Sequence, residues 1–186
     1  MKIVSFVLLL AILFTGCSNS NEAIDAAMRL RNNLNNGNGC SYICDISADY
    51  GNEIYAFTLS CSIDAEGSML FEVTKPESLK GICGKVDPAG GKLTFDQEIL
   101  AFPTIADDLL TPVSSPWVLY KALCGGYISS AGKNNDGYLF KIDDTYLAHS
   151  MRIDVFTDNN SIPVSAEFLW EGRRILSLSI DDFIIL

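Results

Sequence analysis

From residue 40 to its end, most of this chain alternates apolar and polar residues with a period of two, broken by short clusters of turn residues. In β-structure that period sends successive side chains to opposite faces, so each segment must bury one face and wet the other. If Tyr50-Gly51 is a two-residue turn, Tyr42 lies opposite Leu59, Cys44 opposite Phe57, Ile46 opposite Tyr55 and Cys40 opposite Cys61. That face is apolar, whereas Ser41, Asp45, Ser47, Thr58, Ser60 and Ser62 share the other. A third alternating segment, residues 68–74, groups Met69, Phe71 and Val73 before Pro76 breaks it. Residues 79–86 and 92–102 then read as two strands around the turn 87–91. Near the C-terminus, a turn at Asn159-Asn160 pairs Val155 with Val164, Ile153 with Ala166, Met151 with Phe168 and His149 with Trp170. A three-residue loop at Glu171-Gly172-Arg173 then sets Phe168 against Leu176, Ala166 against Leu178 and Val164 against Ile180. The chain therefore predicts about nine or ten strands, joined mainly as an antiparallel meander.

Two helices complete this α+β arrangement. Residues 22–36 place Ile24, Ala27, Met28, Arg31 and Leu34 at helical spacing, with Arg31 the only polar member, and Gly37 and Gly39 end the run. Ser115 as cap and Pro116 at the first helical position open a short apolar helix, which Gly125-Gly126 stops. A helix apolar on most sides must be buried, and a long twisted sheet curling around it supplies the cover. With 170 residues after position 16 and no linker, one domain over 22–186 is expected.

The N-terminus reads as a signal and an anchor. Ile3 to Phe14 is apolar except for Ser5, about 12 residues, which is too short for a membrane-crossing helix of roughly 20. Leu13-Phe14-Thr15-Gly16-Cys17 resembles the bacterial lipobox, in which the thiol receives diacylglycerol and cleavage precedes it. Phe14 stands where that pattern favours Leu. This resemblance implies a lipoprotein signal over 1–16, a lipidated Cys17, and residues 17–21 as the lipidated residue and polar tether. Cleavage would remove Lys2 and no acid, moving the formal net charge from −10 to −11. An acidic body argues against nucleic acid or an anionic surface as an electrostatic partner.

The six cysteines leave five once Cys17 is assigned to lipid. The register above makes Cys40 and Cys61 the candidate disulfide pair, with buried reduced thiols as the alternative. Cys40 and Cys44 with one distant histidine match no zinc spacing, so no metal and no cofactor are expected. On the predicted strand His149 and Ser150 point to opposite faces, which excludes a nucleophile and base from that pair and argues against an enzyme. The acidic pairs Asp107-Asp108, Asp143-Asp144 and Asp181-Asp182 read as loop and edge solvation for the same reason.

The order of elements is similar to that of the LolA/LolB lipoprotein-carrier superfamily, and in its lipid-anchored form to the LppX and LprG lipoproteins. The residues that carry this are the N-terminal helix, the strand Met69 to Lys75 before Pro76, and Leu79-Lys80-Gly81-Ile82. The central proline-opened helix and the terminal hairpin from Trp170 through Arg173 to Ile180 complete it. The resemblance implies an unclosed half-barrel of about 9–11 strands over the two helices, enclosing a cavity for acyl chains. It implies a membrane-anchored, monomeric carrier or receptor on the extracytoplasmic side of the cell or outer membrane, binding a lipid or lipidated molecule. Tyr42, Tyr55, Phe57, Leu59, Phe71, Met151, Phe168 and Trp170 are then the expected cavity lining. The competing reading has these side chains fill one another and the helices, leaving an anchored structural or protein-interaction module with no ligand.

Overall fold

A computed structural model describes residues 18–86, 93–95, 110–143 and 151–186. Helix α1 (Ser18–Asn36) is followed by strands β1 (Gly39–Asp49), β2 (Ile54–Asp64), β3 (Met69–Lys75), β4 (Cys83–Val86) and β5 (Leu93–Phe95). A 3-10 turn (Pro112–Ser114) runs into helix α2 (Ser115–Gly125). Then come β6 (Tyr127–Lys133), β7 (Tyr138–Asp143), β8 (Arg152–Thr157), β9 (Pro163–Trp170) and β10 (Arg173–Ile185). The predicted strand over 92–102 and the His149 position extend into residues outside the described ones, as does Asp107-Asp108.

The ten strands form one antiparallel sheet in the order β5-β4-β3-β2-β1-β10-β9-β8-β7-β6. It is thus two five-stranded meanders joined where the first strand pairs with the last, Cys44 opposite Ile180 and Ile46 opposite Leu178. The sheet is curved and unclosed, an α+β half-barrel over two helices, as expected. The concave face buries Ile46, Leu59, Ile63, Phe140, Ile153 and Leu176, each under 3% exposed. The serines and charges of the alternating pattern take the convex face.

Two hairpin registers differ from expectation by two residues, and for one physical reason. Tyr42 lies opposite Cys61 and Cys44 opposite Leu59, while Ile153 lies opposite Phe168 and Val155 opposite Ala166. In each case an aspartate at the strand end wraps a longer loop than two residues. The Asp49 carboxylate accepts from Gly51 N at 2.7 Å, and the Asp158 carboxylate accepts from Asn160 N and Ile162 N at 2.9 and 2.8 Å. Such side-chain turns compete with the tight two-residue hairpin. A shift of two keeps every side chain on its predicted face. The last hairpin keeps its predicted pairs, Phe168 with Leu176 and Ala166 with Leu178. It does so through a two-residue turn at Glu171-Gly172, both at positive φ, plus a bulge near Ile175.

Helix α1 begins at Ser18, so the residues expected as a tether form its first turn. It buries Ala23, Ala26, Ala27, Leu30 and Leu34 and leaves Ile24 and Met28 more than 40% exposed. The predicted stripe is therefore rotated: the alanines let the helix backbone lie close against β6 and β7, which the longer Ile and Met would hold away. The 3-10 turn before α2 is capped by Thr111, whose hydroxyl accepts from Ser114 N while the Ser114 hydroxyl accepts from Thr111 N, and Ser114 is the N-cap residue of α2. The predicted cap Ser115 instead lies inside the helix and donates to the Pro112 carbonyl at 2.6 Å.

Candidate functional site

The concave face and the two helices across it form the candidate site. All eight predicted lining residues lie on or beside that face. Tyr42 is on β1, Tyr55, Phe57 and Leu59 on β2, Phe71 on β3, Met151 just before β8, and Phe168 and Trp170 on β9. Six are buried, and Tyr55 and Trp170 are half-buried. Leu59 and Phe168 expose 0% of their surface. A side chain with no accessible surface borders no space wide enough for water, so in this conformation these two pack against protein.

Helix α2 is fastened at both ends by side-chain bonds to backbone carbonyls. At its start, the Tyr42 hydroxyl donates to Pro116 O at 2.7 Å, and the Trp117 indole donates to Gly67 O at 2.8 Å. Tyr42 also stacks on Phe183 with ring centroids 5.3 Å apart. At the far end, the Arg31 guanidinium from α1 donates to Leu123 O at 2.8 Å and Gly126 O at 2.7 Å, and Asn35 donates to Cys124 O at 3.2 Å. The last carbonyls of a helix have no partners within it, and a cation there also meets the negative end of the dipole. Burial lowers the Arg31 pKa from its usual value, yet a guanidinium stays charged. Arg31 is thus the polar member of an apolar stripe for a reason. That oddity in the sequence was the available signal; the hydroxyl of Tyr42 and the indole of Trp117 left none.

Cys40, Cys44 and Cys61 lie together beside Tyr42 without the predicted bond. Cys40 lies opposite Ile63 rather than Cys61, so the Cys40–Cys61 disulfide does not form, and Cys40, Cys44, Cys61, Cys83 and Cys124 are all free thiols. The nearest sulfur contact is Cys44 to Cys61 at 4.0 Å, diagonally across β1 and β2. Burial pushes the Cys40 thiol up to about 12. The sulfur contact with Cys44 and burial raise Cys61 well above its usual value, and burial raises Tyr42. Because the thiolate is the reactive form of cysteine, burial and these shifts both disfavour reaction at Cys40 and Cys61 in the folded protein. Native alkylation read by peptide mass spectrometry should label exposed Cys83 and spare Cys40, Cys44 and Cys61 until denaturant is added. Labelling of all four at one rate would contradict this packing. Among the described residues no group of three or more His, Cys, Asp or Glu is arranged to hold a metal ion.

A surface groove of about 550 Å³ lies where β3 ends, bordered by residues of both faces: Ile46 and Phe57 from the concave one, Asp45 and Thr58 from the other, with Lys75 and Glu77. The Thr58 hydroxyl donates to the Asp45 carboxylate at its border. Among the described residues no helix is long and apolar enough to cross a membrane.

No protein-family model and no curated protein matches this chain. Solved structures do resemble it in backbone. An uncharacterized conserved protein from Thermus thermophilus has 12% identity, with 89% of this chain and 88% of that one covered and a TM-score of 0.43. For MucB the values are 12%, 89%, 59% and 0.47, so this chain spans 59% of MucB; the Pseudomonas aeruginosa MucA/MucB complex is also similar. A LolA superfamily protein from Nitrosomonas europaea has 11% identity, 88% and 93% coverage and a TM-score of 0.40.

Proposed function

We propose that the mature protein is a lipoprotein, held by a diacylglyceryl group on Cys17 at the extracytoplasmic side of a membrane. Its half-barrel takes up a lipid or lipidated molecule as a carrier or receptor, without catalysis. One observation carries this reading: among the described residues, a ten-stranded sheet is left unclosed, with a continuous apolar concave face and two helices across it. Apolar burial at roughly 25 cal/mol per Å² would drive uptake with little help from polar groups. A second reading has its own support. The complete enclosure of Leu59 and Phe168 and the bond from Tyr42 to Pro116 favour a filled, ligand-free core in an anchored interaction module.

Native mass spectrometry of protein purified from its own host separates the two. The carrier reading expects the mature chain with its N-terminal lipid plus a non-covalent adduct of lipid mass that organic extraction removes. A lipid-modified chain without any adduct would sink it and leave the filled module.

A further inference from the structure

We infer that the first turns of α1 lie flat against the lipid surface, with Ile24 and Met28 in contact with it. The inference rests on the proposed anchoring through Cys17 and goes beyond it by fixing which face of the domain meets the membrane. A flexible tether would leave that choice open, but among the described residues α1 already begins at Ser18, the residue after the anchor.

Helical rise puts Ile24 only about 9 Å and Met28 about 15 Å along the axis from Ser18, the residue next to the anchor. Both are within reach of the interface if the helix lies along it; if the helix stands upright, Met28 is beyond it. The side chains decide between these. Ile24, Met28, Arg31 and Asn35 follow one another at helical spacing and form a single stripe along α1. Its C-terminal half is polar and engaged, since half-buried Arg31 and exposed Asn35 bond to the end of α2. Its N-terminal half is apolar and uncovered, with Ile24 43% and Met28 41% exposed. The uncovered part is thus the part nearest the anchor. An interfacial helix buries such a stripe about 5–10 Å into the headgroup boundary. Exposed Arg29, beside Met28, can keep its charge among the headgroups while its stem lies along the apolar surface.

The methionines supply the test. Cleavage before Cys17 leaves Met28, Met69 and Met151, of which the last two are buried. The protein is produced with [methyl-13C]methionine, purified with its N-terminal lipid, and placed in nanodiscs of phosphatidylethanolamine and phosphatidylglycerol. A nitroxide in the upper acyl chain should abolish the Met28 methyl signal and spare Met69 and Met151. A water-soluble gadolinium chelate should leave all three. Loss of Met28 to the chelate, in nanodiscs that carry the lipid-modified protein, overturns the flat orientation alone. Protection of Met28 from both probes also overturns it, because protein then covers the stripe. An unmodified N-terminus by mass overturns the anchoring reading, and this inference with it.

Discussion

Phe168→Ala should lower the free energy of unfolding by about 3–5 kcal/mol, the range for truncating a fully enclosed aromatic side chain. Phe168 exposes none of its surface and sits on β9 between Ile153 of β8 and Leu176 of β10. Those three strands cannot close over the void, because the backbone ladder on both sides holds them apart. The loss therefore includes a cavity term as well as the transfer of the ring to water. The same measurement bears on function. Were Phe168 the wall of a hollow, its neighbours on one side would already be missing, and the cavity term would largely vanish. Urea titrations of wild type and variant with an unchanged m-value give the difference. A shift under about 1 kcal/mol would show that this side chain is not packed as described.

The second large effect is in the backbone. Gly39→Ala and Gly137→Ala should each destabilise the protein by about 2–4 kcal/mol, although each adds one methyl group at the head of a strand. Gly39 has φ of +111° and Gly137 of +156°, where side chains are rarely tolerated. A Cβ on Gly39 would collide with the carbonyl oxygen of Ile63 on β2, and a Cβ on Gly137 with that of Thr157 on β8. The two glycines play the same part in opposite halves of the sheet, letting β1 and β7 start close against their neighbours. Neither obstacle is the movable end of a side chain, so relaxation requires the ladder itself to shift. Gly132→Ala, where a Cβ meets nothing within 4 Å, serves as control and should cost less than about 1 kcal/mol. Equal losses at all three positions would point to glycine's intrinsic strand preference rather than to these collisions.

How much was legible in the sequence follows from which property each feature depends on. The inward identity of Tyr42, Leu59 and Phe168 depended only on the parity of the pattern, and parity survives a register shift of two. Which residues face each other depended on loop length. There the carboxylates of Asp49 and Asp158 held longer turns than the expected two-residue turns at Tyr50-Gly51 and Asn159-Asn160, and this separated Cys40 from Cys61. Side-chain size misled along α1, where Ile24 and Met28 looked like the buried stripe and the alanines took that place. Hydrophobicity says that a residue can be buried; the distance at which a helix approaches a sheet says which one is.

The sequence by itself determined the class of the molecule: alternating segments that must form a sheet with one apolar face, and two helices to cover it. These are consequences of local period and of the need to remove apolar surface from water. Only the tertiary structure decided that the first strand pairs with the last and that Arg31 holds the end of α2. It also decided that Leu59 and Phe168 on the concave face are fully enclosed. Each of these joins residues far apart in the chain, through a contact whose partner no local pattern names.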